Sequence, residues 1–323
     1  MAKCQNCKNV PAQMKRTESG QLLCKECFSY IFEEEVYQTI TRFDLLSPGD
    51  ILAIGVSGGK DSTCLLHVLD TLNKRHDMKI QIHMLCIDEG IGGYRDNALQ
   101  AVYDNAKRYD LPLLVLSFTD MFGWSLDKIF SATQTKETCT YCGIFRRRAL
   151  DIGASKIKAT KVAVGHNAND IAETVLLNVL RGDTARFARS VDIKTDGIDS
   201  KLEVPTVAPR IKPFAFQSQR DIVLYVHFKK LIYYAVECPY AVQAFRRFSR
   251  EYLVEKEKKD PLVMRKIIEG SIEFQETTEK VEIQIGFCKV CGAASNHEVC
   301  MACKLIERLT NAYPSRQIVE DPE

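Results

Sequence analysis

The chain has 323 residues, 46% of them hydrophobic and 27% charged, with a formal net charge of +2. That composition belongs to a soluble globular protein, and the length holds one large α/β domain with small appendages. No apolar run approaches the ~20 residues that span a bilayer, and MAKCQNCKNV lacks the apolar core of a signal peptide, so a cytosolic protein is expected. Thirteen cysteines in a reducing compartment argue for metal ligation over disulfides.

Residues 1–30 form a first predicted module. Cys4-x2-Cys7 and Cys24-x2-Cys27 are separated by sixteen mostly polar residues, a spacing that suits a tetrahedral zinc site. Four thiolates leave no open position, so the expected role is structural. Residues 30–46 are predicted as an amphipathic helix, ended by Ser47-Pro48-Gly49.

Residues 51–56 then read as a buried strand that runs into Ser57-Gly58-Gly59-Lys60-Asp61-Ser62, with a helix opening at Asp61. The two glycines let backbone approach a ligand closely, and Ser57, Lys60 and Ser62 are donors beside a helix N-terminus. This is a phosphate cradle, but not a Walker A loop: the first Gly of that pattern falls on Ile54, and Asp61 follows the Lys. The bland alternative is an ordinary strand-to-helix turn. Residues 80–87 are a second strand that delivers Asp88 to the ligand edge, where it can hold Mg²⁺ or a ribose, or simply cap a turn. A helix over 94–109 and a strand over 111–118 continue the alternation, which predicts a doubly wound parallel sheet.

Cys139-x2-Cys142 precedes a basic helix predicted over 144–159 that carries Arg146. Residues 161–165 are a further strand ending at Gly165. Asn167 or Asn169 caps the next helix, and Asp170 lies in its first turn, where capping competes with a catalytic reading. Residues 194–201 are expected as a loop, Pro205 as extended chain, and 217–234, 240–253 and 260–278 as helices. Cys238 follows the first of these. Cys288-x2-Cys291 and Cys300-x2-Cys303, eight residues apart, give a second Cys4 module over 284–310, and 311–323 is a polar tail. The core domain is expected over 31–280. Cys64 and Cys86 lie in apolar patterns and read as core. Residues 139–250 hold 19 Lys/Arg against 10 Asp/Glu, a net +9 that suggests an anionic polymer partner.

In combination, the Cys4 module at each end, SGGKDS, CxxCG followed by FRRRALDIGA, GHNANDIAET, LRGD and a lone Cys after a helix closely resemble the tRNA 2-thiouridine synthases of the PP-loop ATP pyrophosphatase family. The resemblance covers essentially the whole chain. It implies an ATP site of Val56, Ser57, Gly58, Gly59, Lys60, Asp61, Ser62, Asp88 and Gly165 with Mg²⁺. It also implies a [4Fe-4S] cluster on Cys139, Cys142 and Cys238, roles for Asp170 and Arg146 in catalysis, and two zinc ions. The implied substrate is the wobble uridine of Lys, Glu and Gln tRNAs, adenylated at O2 and then attacked by sulfur. The implied partners are a second thiolation subunit and a thiocarboxylated ubiquitin-related modifier as sulfur donor.

Two positions depart from the family pattern: Asn169 stands where Asp is usual, and Pro239-Tyr240-Ala241 where Thr and Ser are more usual. Three alternatives stay open at this stage. A metal-free Cys139–Cys238 persulfide relay replaces the cluster. Another PP-loop tRNA modifier, such as a 2-thiocytidine synthase, replaces the activity. A noncatalytic tRNA-binding subunit replaces both.

Overall fold

A computed structural model describes residues 2–134, 137–195, 207–240, 246–277 and 286–314. The loop expected over 194–201 beyond Thr195, Pro205, Ala241 and the tail from 315 onward lie outside the described residues.

The N-terminal module pairs β1 (Met14–Lys15) with β2 (Leu22–Leu23) antiparallel and feeds α1 (Lys25–Arg42). That helix starts earlier than the expected 30, because Cys24 is its N-cap and accepts from the Cys27 amide through Sγ. The knuckle, not the apolar periodicity, sets where the helix begins.

The central sheet takes β3 (Ile51–Gly55), β4 (Gln81–Asp88) and β5 (Leu113–Ser117), with α2 (Lys60–Arg75) and α3 (Arg95–Tyr109) as crossovers. Short α4 (Phe118–Phe122) and α5 (Leu126–Thr133) were not expected; each is capped by a serine side chain, Ser117 and Ser125. α6 (Thr138–Ile157) contains the CxxC in its first turns, whereas the expected helix began after it. β6 (Lys161–Ala163), α7 (Ala168–Leu180), α8 (Thr184–Ser190) and β7 (Arg210–Ile211) follow. α9 (Gln219–Lys229) stops short of the expected 234, where Lys230 turns into the left-handed region. α10 (Arg246–Lys259) and α11 (Val263–Thr277) complete the helices of this part. The C-terminal module pairs β8 (Gly286–Phe287) with β9 (Ala294–Ser295) and ends in α12 (Met301–Ala312), a helix not expected within the 284–310 module, which buries Ala302, Leu305 and Leu309.

The sheet is parallel throughout, in the order β5-β4-β3-β6-β7. The chain builds outward from β3 on one side and resumes with β6 on the other. The switch point therefore lies between β3 and β6, where such sheets bind ligands at the carboxyl ends of their strands. Alternate strand residues face opposite sides. Leu52, Ile54, Met84 and Cys86 pack with α1, α2, α7 and α9, while Ala53, Leu85, Ile87 and Val162 pack with α4, α5 and α6. The two cysteine modules divide in the same way: Cys4 and Cys24 join the first core, Cys288 and Cys300 the second. Among the described residues, no helix is long and apolar enough to cross a membrane.

Candidate active site and metal centres

The loop after β3 is held by its own serines. Ser57 N–H donates to Ser62 Oγ (3.1 Å), and Ser62 Oγ donates to the Gly59 carbonyl (3.1 Å). Gly58 sits at φ +74, and a Cβ there would come 2.3 Å from the Ala98 carbonyl oxygen, so only glycine fits between this loop and α3. Gly59 is the N-cap of α2 and supplies no side-chain cap. The first-turn N–H groups of a helix have no partner within it, so they face outward as anion donors. Val56 is buried at the strand end, and Lys60 pairs with Asp61 at 2.8 Å.

β6 brings a second loop alongside. Asn167 Nδ2 donates to Asp61 Oδ1 at 3.3 Å, and a Cβ on Gly165 would lie 3.1 Å from the Asp61 carbonyl carbon. Asp170 closes a capping box with Asn167: its Oδ2 accepts from the Asn167 amide at 3.2 Å, and its own amide donates back at 3.1 Å. Asn167, not Asn169, caps α7; Asn169 is buried and accepts from the Gln219 amide. Asp88 is buried at the end of β4, where Oδ1 accepts from the Gly90 amide at 2.8 Å and Oδ2 lies 3.5 Å from Arg95 Nε. Its carboxylate thus serves the turn as well as facing the edge.

Three of the five cysteines outside the quartets lie near one another at the same edge. Cys142 is buried in α6, Cys139 exposed and Cys238 half-buried. Burial pushes the Cys142 thiol up to about 12, against the pull of Arg146, and both Cys139 and Cys238 act on it electrostatically. Burial raises Cys238 as well, with Cys139 adding to the rise. Arg146 reaches Cys142 Sγ at 3.3 Å and Glu89 Oε1 at 2.7 Å. Arg146 and His166 are both open to water yet surrounded by protein, which marks a cleft. Desolvation, with Lys212, Arg246 and Arg146 against Asp170, brings His166 down to about 4. Cys64 and Cys86, by contrast, are core thiols raised by burial.

One segment, 231–240, runs between the phosphate loop and these thiols. The Tyr234 amide donates to the Gly58 carbonyl at 2.8 Å, and Cys139 Sγ donates to the Tyr240 carbonyl at 3.6 Å. The sequence reading missed Glu89 and Tyr240. Glu89 follows Asp88 in the same strand-end turn, which was its only signal. Tyr240 stood in the Pro239-Tyr240-Ala241 stretch after Cys238, but nothing local pointed to its contact with Asp127.

Among the described residues, two groups of thiols converge within 4.8 Å: Cys4, Cys7, Cys24, Cys27 and Cys288, Cys291, Cys300, Cys303. Zn–S bonds of about 2.3 Å set sulfurs of one tetrahedron roughly 3.8 Å apart. Cys7 and Cys24 Sγ are 4.0 Å apart and Cys291 and Cys300 Sγ 3.7 Å. Burial opposes ionisation at Cys4 and Cys288, but surrounding backbone N–H groups bring both thiols down to about 6. Both quartets therefore fit a zinc ion. Cys139, Cys142 and Cys238 are near enough to act on one another electrostatically but are not among the groups that converge within 4.8 Å.

A parallel sheet with a glycine–serine anion loop at its switch point defines a nucleotide-binding domain of the PP-loop class, and the PP-loop domain family matches residues 30–257. Within that class, the chain belongs to the family of the cytoplasmic tRNA 2-thiolation protein 1. It is 44% identical to the protein of that name from Oryza sativa subsp. japonica over 311 residues, 96% of this chain and 84% of the relative. It is also 44% identical to the one from Drosophila melanogaster over 305 residues, 94% of this chain and 87% of the relative. Among solved structures it resembles the U34-tRNA thiolase NcsA from Methanococcus maripaludis with its [4Fe-4S] cluster, at TM-score 0.81 and 28% identity, covering 100% of this chain and 99% of that one.

Proposed function

We propose that the chain is a cytoplasmic, ATP-dependent tRNA sulfurtransferase that replaces O2 of the wobble uridine of Lys, Glu and Gln tRNAs with sulfur. One observation carries the reading: a single segment ties the phosphate loop at Gly58 to the thiols at Cys139 and Cys238. A nucleotide and a sulfur carrier held there would share one cleft.

The uridine O2 is a poor leaving group. Transfer of AMP from ATP to that oxygen, with release of pyrophosphate, makes it a good one. Backbone N–H groups of Gly58, Gly59 and the first turn of α2 hold phosphate, with Ser57, Lys60 and Ser62. Val56, Asp61, Asp88 and Gly165 complete the ATP site, and Asp61 and Asp88 are the carboxylates that would hold Mg²⁺. Asp170 orients the nucleotide or takes its proton, and Arg146 neutralises charge that develops near Cys142. Sulfur then displaces AMP at C2. Cys139, Cys142 and Cys238 would be the residues to hold a [4Fe-4S] cluster, which when bound would offer an iron without a protein ligand as a site for sulfur. The two zinc ions are structural. Residues 1–30 and 284–310 serve as zinc modules around the domain at 31–280. The sulfur donor is a thiocarboxylated ubiquitin-related modifier, and a second thiolation subunit is the working partner.

The test is in-vitro thiolation of unmodified tRNA transcript by anaerobically reconstituted protein, read by nucleoside mass spectrometry. Expected are ATP-dependent 2-thiouridine at the wobble position and its loss in Asp61→Ala, Cys139→Ala, Cys142→Ala and Cys238→Ala, with zinc content unchanged. Full activity of Asp61→Ala would overturn the ATP site. Multiple-turnover activity of iron-free protein, or of Cys142→Ala, would overturn the cluster and leave a Cys139–Cys238 relay.

A further inference from the structure

We infer that Tyr240 is a positioning residue for the sulfur-transfer site: its side chain latches the end of the 231–240 segment to Asp127 and so holds Cys238 beside Cys139. The inference rests on the role proposed above for these cysteines. The segment from Leu231 through Cys238 has no helical or strand pairing, so its tethers alone place Cys238. At its start, Asn105 Nδ2 donates to the Ile232 carbonyl at 2.8 Å, and the Tyr234 ring meets Tyr94 edge-on at 5.8 Å. Past Cys238, the described tether is Tyr240.

Tyr240 is held from three sides. Its hydroxyl donates to Asp127 Oδ1 at 2.6 Å, and the other oxygen of that carboxylate accepts the Gly92 amide at 2.7 Å. Its ring lies 4.9 Å from that of Phe130, one turn along α5 from Asp127. Its carbonyl accepts from Cys139 Sγ at 3.6 Å. Asp127 thus joins the Cys238 segment to the loop after β4, which carries Glu89, the partner of Arg146. A hydrogen bond to a carboxylate is among the stronger neutral-donor bonds.

The experiment uses full-length protein and two readouts that do not require tRNA thiolation. The first is the rate of iodoacetamide labelling of Cys238 and Cys139 in protein without iron, followed by peptide mass spectrometry. The second is the lifetime of the reconstituted cluster in air, followed by its visible absorbance. Tyr240→Phe removes the hydroxyl and keeps the ring, Tyr240→Ala removes both, and Asp127→Asn weakens the acceptor. Loss of one such bond should speed Cys238 labelling by roughly threefold to tenfold. The effect should be larger in Tyr240→Ala. The Tyr240→Phe/Asp127→Asn double variant should label no faster than the quicker single variant, because both remove one interaction. Cluster lifetime should shorten in the same order. Wild-type labelling and cluster lifetime in both Tyr240→Phe and Tyr240→Ala overturn the latch. Additive effects of the two single variants overturn the role of Asp127. If wild-type protein neither binds a cluster nor thiolates tRNA, the functional reading fails, and the labelling rates still decide the latch.

Discussion

Gly58 shows how one residue can be fixed by two independent demands. Its φ of +74 disfavours any L side chain, and the Ala98 carbonyl occupies the space a Cβ would take. Gly58→Ala should cost at least ~1–2 kcal/mol from the left-handed backbone alone and displace the loop. Nucleotide titration should show at least a tenfold weaker ATP affinity, and unchanged affinity would mean that the loop is not the phosphate site. His67 makes a different case. Its Nδ1 lies 2.8 Å from the Tyr109 hydroxyl. Burial, helped by Lys229 and Arg108 and opposed by Glu33 and Asp70, brings its pKa down to about 4. The unfolded value is near 6.5. A folded pKa below the unfolded one favours the neutral ring, so this stability is complete above pH 6.5 and is lost as pH falls toward 4, by up to about 3 kcal/mol. Denaturant midpoints at pH 7 and 4.5 should therefore separate further in wild type than in His67→Gln. Equal separations would remove His67 as a source of acid sensitivity.

At the scale of elements, the knuckles act as helix starts. Cys24 caps α1 and Cys300 caps α12, each through Sγ to the amide three residues on. Four thiolates brought together without a metal repel, so losing zinc should fray the first turn of each helix. The two modules should not cost the same. The N-terminal one sends Met14, Leu23 and Phe28 into the main core. It also buries Arg16 against Asp221 at 2.6 Å, with side chains 8% and 2% exposed. Breaking a buried pair on one side costs ~3–5 kcal/mol. Cys24→Ser should then lower the thermal midpoint well beyond Cys300→Ser, each with one zinc ion lost by elemental analysis. Equal shifts would say that the Arg16 contact holds without the metal.

For the whole molecule, the deciding quantity is where charge lies. The net +2 conceals a span, 139–250, that carries +9. α6 and α10 contribute runs of arginine to it. Some of that charge is spent internally, since Arg246 and Arg250 hold the buried Glu173 at 2.7 and 3.0 Å. Others are not: desolvation, and then like charge from Arg210 and Arg186, lowers the pKa of Arg147. An anionic polymer relieves that repulsion. Binding of tRNA should weaken steeply with salt, with a logarithmic slope of several phosphates. A flat salt dependence would leave the patch as solvated surface.

The sequence by itself determined the α/β class, the glycine turn that follows the first strand of the sheet, and both cysteine quartets. Each of these is written in local spacing: β-period apolar runs, a glycine turn, and paired CxxC motifs that metal geometry constrains. It misplaced the starts of α1 and α6, because cysteine capping and tertiary packing set them rather than hydrophobic period. It passed over α12, whose short apolar stripe gains its meaning only against α6. Only the tertiary structure decided that the two knuckles lie on opposite faces of the sheet, and that Asn167 reaches Asp61 across the switch point. The same holds for Tyr240 and Asp127, 113 positions apart in the chain. Such contacts depend on strand order and on how the intervening segments pack, and neither leaves a periodic or spacing signal in the residues that make them.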